Sequence, residues 1–203
     1  MNKRLGRPPA DATRRAIVDA ALETLKTEGF GGATSRAIAR RGGFNQALIF
    51  YHFGTLDSLL LAALDATSEQ RFGRYQRAVR EATSVQELAE AAARIYGEDR
   101  RRGHITVVAQ MIAGSVSRPA LAGELVARME PWIELCEEAM GKVLDWLQLP
   151  ELVPRRELAY AFVTFYLGVN LLTHLDEGGT RTDALFERAQ ALAPLLEELR
   201  APS

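Results

Sequence analysis

Cysteine is almost missing from this chain: Cys136 is the only one in 203 residues. A lone thiol closes no internal disulfide and builds no cysteine-rich zinc site, so a reducing, cytoplasmic setting is expected. Histidine is scarce as well. His52, His104 and His174 show no metal-ligand spacing, and no GxSxG turn or glycine-rich phosphate loop accompanies them. Carboxylates such as Glu137-Glu138 and Glu197-Glu198 suit exposed helix faces. No catalytic residue, metal or cofactor is therefore expected, and the chain is not read as an enzyme. Long apolar runs are lacking too. The longest, Leu158 to Leu172, covers 15 residues and is interrupted by Thr164 and Asn170. A bilayer-spanning helix needs about 20, so a buried helix and no membrane partner are expected. The start, Met1 to Ala10, is basic and proline-rich with no apolar stretch behind it, so no secretory signal is expected.

Charge of one sign is also missing, since the formal net charge is −1. That sum argues against a polyanion partner until it is divided. Residues 1–60 carry nine basic and five acidic side chains, a balance of +4, which leaves −5 on the remainder. A basic head on an acidic body points to nucleic acid at the head alone.

What is present is helix-forming sequence, with Ala, Leu, Glu and Arg filling the long segments and little strand-like alternation. Asp11 suits the cap of a first helix whose Ile17, Ala20, Ala21 and Leu25 share a face, ending at Gly29. Thr34 or Ser35 caps a short second helix, Asn45 a third running to about His52, and Thr55 a long fourth. Further helices are expected near 56–81, 85–102, 104–116, 119–147, 155–176 and 183–200, with kinks at Pro131 and Pro194. The fold class is all-α, with about nine helices. Residues 1–54 are expected to form an arm and a small head, and residues 55–203 a larger helical body.

The most informative segment is 34–53, TSRAIARRGGFNQALIFYHF. Two short helices about a glycine make a helix-turn-helix pattern. Gly43 allows the bend, Ile38, Ala39, Phe44, Ile49 and Phe53 pack the pair, and Ala47, Leu48 and Tyr51 point outward with Gln46 at the tip. Ile38-Ala39, Gly43-Phe44-Asn45, Ile49 through Thr55, Leu59-Leu60 and the Gly6-Arg7-Pro8-Pro9 arm carry more than the generic pattern. With them, residues 11–64 resemble the DNA-binding domain of the TetR (tetracycline-repressor-like) family of bacterial transcriptional regulators.

The resemblance implies roles position by position. Thr34, Ser35 and Arg36 touch phosphate, while Asn45 caps the recognition helix and Gln46, Ala47 and Leu48 approach base edges. Tyr51 and His52 hold the backbone, Thr55 starts a helix whose amides grip a phosphate, and Arg4 and Arg7 reach out on the arm. Two positions depart from the family pattern. Phe50 stands where a phosphate-contacting Tyr is frequent, and Leu56 where a Lys is usual. On the residues alone, Tyr51 and His52 also fit an aromatic pair closing the small core, and Arg40 and Arg41 fit a solvated face.

The body beyond residue 55 needs its own purpose. Leu158, Phe162, Phe165, Val169 and Leu172 with Val163, Tyr166, Leu167 and Leu171 make one helix apolar on nearly every face, as if buried from several directions. Leu185, Ala189, Leu192, Leu196 and Leu199 form a heptad-like seam on the last. Leu167, Leu171, His174 and that seam are the expected homodimer interface, with packing inside one subunit as the alternative. Tyr96, His104, Gln110, Met111, Met129, Trp132, Phe162, Phe165, Tyr166 and Asn170 are the expected lining of a pocket for a small, largely apolar effector, or else plain core. Family resemblance makes the whole a repressor released from a palindromic operator by that effector. From other classes, the alternatives are an all-α small-molecule enzyme or carrier, and a helical adaptor that binds protein.

Overall fold

Hydroxyl side chains start three of the helices. In the computed structural model, which describes residues 10–149, 153–173, 175–176 and 180–198, Thr34 Oγ1 accepts the amide of Ala37 at 3.2 Å and opens α2 (Ser35–Gly42). Thr55 Oγ1 accepts the Ser58 amide at 3.0 Å and opens α4 (Leu56–Glu81). Ser84 Oγ accepts the Glu87 amide and opens α5 (Val85–Arg102), where Glu87 reaches back to the Thr83 amide at 2.7 Å. Thr34, not Ser35, is the cap of α2. Between α2 and α3 (Ala47–Phe53), Gly43 takes φ 66°, the left-handed conformation the bend requires. The expected cap at Asn45 is corrected: Gln46 flanks α3 with no side-chain cap of its own, and Asn45 Oδ1 accepts the Ala47 amide at 2.8 Å as a turn just ahead of the helix. The first helix, α1 (Ala10–Gly32), is broken at Gly29, where helical geometry was expected to end, and continues as one further turn.

The remaining elements are α6 (His104–Ser115), α7 (Pro119–Leu147), α8 (Arg155–Thr173) and α9 (Thr180–Glu198). The described residues are all-α, nine helices without a strand. Pro131 lies inside α7 and Pro194 inside α9, each removing one donor from its ladder. No single described helix is long and apolar enough to cross a membrane.

Head and body share one core. Ile17, Ala21 and Leu25 of α1, Ile38 of α2, Ile49 of α3 and Leu59, Leu60 and Leu64 of α4 pack with Val107 and Met111 of α6 and Leu121 and Leu125 of α7. Position 54/55 therefore separates stretches of chain that pack as one cluster. The joint is built around Phe30. Its amide donates to Gln110 Oε1 at 3.1 Å, its ring lies on Gly114 of α6, and the Arg118 guanidinium covers the ring at 4.9 Å while pairing with Asp57. Arg128 of α7 adds a two-pronged contact to Asp65 of α4 at 2.7 and 3.1 Å. At the far end of α4, Lys142 donates to the carbonyls of Val79, Arg80 and Ala82 within 3.1 Å, satisfying a helix terminus from α7.

One expectation about α8 is corrected. Only Ala159 and Asn170 of this helix are buried, and Tyr160, Phe165, Leu171 and Leu172 are exposed. Its apolar faces are thus not all covered by its own chain.

A Cβ on Gly114 would lie 2.2 Å from the Phe30 ring, whereas one on Gly123 of α7 meets nothing within 4 Å. Gly114→Ala is expected to destabilise the chain by roughly 1–3 kcal/mol, and Gly123→Ala to stabilise it by about 0.5–1 kcal/mol. Urea melts of the two variants check this; equal effects would contradict the joint.

Candidate nucleic-acid interface and buried polar cluster

The core-facing side of α3 fixes what its other side presents. Ile49 is fully buried, and Phe53 packs beneath with the Arg14 guanidinium 4.8 Å from its ring. Tyr51 is 76% exposed and meets His52 edge-on at 5.0 Å. That exposure removes the reading of Tyr51 as a core-closing aromatic. Asn45, Gln46 and Ala47 are exposed beside it, and Gln46 Nε2 donates to Ser35 Oγ at 2.7 Å, tying the tip of α3 to α2. Leu48 is only half open, because it leans on the core, so it presents less surface than an outward reading implies.

Charge is distributed unevenly around this face. Arg36 is exposed and has no ion partner among the described residues. Arg41 pairs with Glu28 at 3.0 Å and also donates to Thr27, and Arg40 approaches the same carboxylate at 3.8 Å. Those two arginines are therefore engaged with α1. Leu56, where a Lys is usual, packs against the core. Thr34 and Thr55 remain exposed, although each hydroxyl is already capping a helix. Arg4 and Arg7 lie outside the described residues.

The residues expected to line an effector pocket divide into groups. His104, Trp132 and Tyr166 gather about a group the sequence reading missed, the carboxylate of Asp99. This side chain is 2% exposed and accepts from Arg71 Nη1 at 3.0 Å, Tyr75 OH at 2.7 Å and Tyr166 OH at 2.9 Å. His104 Nδ1 lies 3.5 Å from it, at the limit of hydrogen-bond reach, and has no better partner. Trp132 covers the Arg71 guanidinium at 5.2 Å. Tyr96 adjoins Tyr166 edge-on, stacks on Phe186 of α9 at 4.2 Å and bonds Thr173, while Asn170 donates to the Tyr166 carbonyl. Gln110, Met111 and Met129 belong instead to the Phe30 joint and the core beside it. Phe162 is half-buried, and Phe165 faces outward at 49% exposure.

Asp99 was legible. Val85, Leu88 and Tyr96 put it on the inner face of α5, and Leu64 and Thr67 do the same for Arg71 on α4. The charged run GEDRRR disguised it as surface.

Among the expected dimer residues, Leu171, Leu185, Ala189, Leu192 and Leu196 are exposed, whereas Leu167 packs inward. Leu175 and Leu195 extend the open strip. His174 and Leu199 lie outside the described residues.

Residues 17–63 match the family model described as bacterial regulatory proteins, tetR family. Residues 17–63 are thus a tetR-family segment. A stretch of 55 residues, 27% of this chain, is 38% identical to the HTH-type transcriptional regulator SrpR of Pseudomonas putida, and it spans only 26% of that relative's length. The tetR fold extends over the body as well. A TetR-family regulator from Rhodococcus sp. superposes with a TM-score of 0.73 at 18% identity, over 90% of this chain and 98% of that one. FadR from Bacillus subtilis, solved in complex with stearoyl-CoA, gives 0.70 at 14% identity, over 88% and 96%.

The cluster should show itself in the titration of the chain. Burial raises Asp99, but His104, the Arg71 charge and the Tyr75 hydroxyl outweigh it and hold the carboxyl below its ordinary 3.8. Burial first, and then the Asp99 carboxylate, raise both Tyr75 and Tyr166 above 10.0. Raised tyrosines contribute stability that is complete below pH 10 and lost as pH climbs through their folded values; Asp99 contributes stability lost below its ordinary range. Tyrosinate absorbance of the native chain is expected to stay short of its five tyrosines until alkaline unfolding. Asp99→Asn should bring part of the missing absorbance to lower pH. Reversible ionisation of all five near pH 10 in the folded state would contradict the cluster.

Proposed function

We propose that this chain is a DNA-binding transcriptional repressor acting as a homodimer. The observation that carries the reading is the face of α3 and α2, where Tyr51 stands 76% exposed beside free Arg36 and the Gln46–Ser35 pair, above a core that fixes their direction. Arg36, Tyr51, His52, Thr34, Ser35 and the start of α4 at Thr55 take the phosphates. Gln46, Ala47 and the open part of Leu48 meet base edges, with Asn45 ordering the tip. Arg4 and Arg7 of the arm add contacts in the same region. Two such faces must lie about 34 Å apart to read a palindrome.

The exposed strip on α8 and α9 supplies the pairing. Leu171, Leu172, Leu185, Leu192, Leu195 and Leu196 are each more than 40% exposed, and a second copy buries them by two-fold symmetry. A small, largely apolar effector occupies the body at the Asp99 cluster, with Tyr96, His104, Trp132, Tyr166 and Asn170 about it. The stearoyl-CoA complex of the FadR neighbour supports a ligand in a body of this fold. Since Arg71 is on α4, Asp99 on α5 and His104 at the start of α6, a ligand there moves the helices that clamp Phe30. Release follows only if the effector prefers the arrangement whose recognition helices no longer match the operator.

Arg36→Ala is expected to weaken binding to every duplex and to lower the salt slope by about one. Gln46→Ala should instead change sequence preference, by roughly 1–3 kcal/mol for a lost base contact. Fluorescence anisotropy over a salt series measures both. If Arg36→Ala and Tyr51→Ala bind as the wild type does, the recognition surface is misassigned. Leu192→Asp with Leu171→Asp should give a monomer in sedimentation equilibrium; a persistent dimer would place the interface elsewhere.

A further inference from the structure

The outer side of α3 carries no fixed charge. From Ala47 to Phe53 the helix has no Lys, Arg, Asp or Glu, and its His52 is half-buried. On α2, Arg40 and Arg41 lean toward Glu28 of α1. Guanine's commonest partner in the major groove is an Arg or Lys that spans O6 and N7, and α3 has none to offer. Gln46, just ahead of the helix, suits adenine. While Nε2 donates one hydrogen to Ser35, the side chain keeps its carbonyl oxygen and a second hydrogen for a base.

In place of charge the face has apolar surface. Ile49 is fully buried and Phe53 packs against the core, which turns the opposite side of α3 outward. At about 100° per residue, Ala47 and Tyr51 stand opposite Ile49, and Phe50 flanks them on the side of Gln46. Phe50 is 46% exposed, and its ring joins no aromatic pair and no guanidinium among the described residues. Tyr51 ends in a hydroxyl that a phosphate can accept from, whereas Phe50 ends in a bare ring. A phenyl ring left in water gains free energy wherever it meets another apolar group. Along the base edges of the major groove the one apolar group is the C5-methyl of thymine. Leu48, on the other flank of the face, is partly taken up by the core.

We infer that Phe50 is a specificity-determining residue of α3, whose ring reads the C5-methyl of a thymine in each half-site. This rests on the DNA-binding reading above and adds to it the base that the helix selects. Beside that thymine, Gln46 takes adenine, so the half-sites are rich in A·T pairs where α3 meets them. Uracil differs from thymine by the methyl alone, and 5-methylcytosine carries the methyl on another base, so the group is separable from the base that bears it.

Methyl exchange in a duplex tests it. The probe is the duplex that the full chain enriches most from a randomised library, with each thymine of one half-site replaced in turn by deoxyuridine. That exchange keeps every hydrogen-bonding edge and removes one methyl. Wild type is expected to lose about fourfold in affinity at one or two positions and nothing at the rest. At a sensitive position, a 5-methylcytosine·guanine pair should bind more tightly than an unmethylated cytosine·guanine pair. Phe50→Ala should bind the thymine and deoxyuridine duplexes equally, at an unchanged Tm. Should Phe50→Ala fail to fold, Phe50→Gln, which keeps a long side chain but no ring, takes its place with the same expectation. Equal binding of thymine and deoxyuridine by wild type at every position overturns the proposal, while sequence-specific binding stands. A methyl dependence that persists in both variants overturns it too, since another side chain then reads the group. Enrichment of no duplex overturns this proposal and the DNA-binding reading together.

Discussion

The structure depends on the packing of α6 against α1. Nothing in a helix-turn-helix of this size orients it toward a larger body; that orientation has to be supplied by contact. Here it comes from a ring seated where a glycine leaves room for it, with Phe30 on Gly114, its amide held by Gln110 and its outer face covered by Arg118. Behind that joint, Val107 and Met111 of α6 fall in the same apolar cluster as Ile17, Leu25, Ile38 and Ile49. Close-packed interfaces of this kind change by discrete steps and not by gradual deformation.

The Asp99 cluster stands at the other end of the same helices. It draws Arg71 and Tyr75 of α4, His104 of α6 and Tyr166 of α8 to one carboxylate of α5, so a change there alters how four helices share one charge. Tyr96 carries the contact on to α9 through Phe186, and Arg100 ties the same pair of helices by its bond to Asp183 at 2.6 Å. The proposed effector site therefore touches both the path to the head and the helices of the proposed dimer. Coupling between them needs no added machinery beyond differential binding to two arrangements.

What the sequence revealed follows from how local each determinant is. Caps at Thr34 and Thr55 and the bend at Gly43 are decided within a few residues, so the helices of the head were legible to within a turn. The bounds of α8 and α9 were less so, with 155–176 expected for Arg155–Thr173 and 183–200 for Thr180–Glu198. Long-range pairings were not legible at all. Gln110 looked like a pocket residue because it is polar among apolar neighbours, yet its partner is a backbone amide eighty positions earlier. Asp99 hid inside a charged run. The pattern of α8 reported correctly that its faces are apolar but not which chain covers them.

The central claim is that two α3 helices, presented by a symmetric pair of chains, read one DNA site. Selection of bound duplexes from a randomised library measures this directly. The account predicts enrichment of a palindrome whose half-sites are centred about one helical turn, or a small multiple of it, apart. Enrichment of a single unrepeated half-site, or no sequence enrichment, would contradict it.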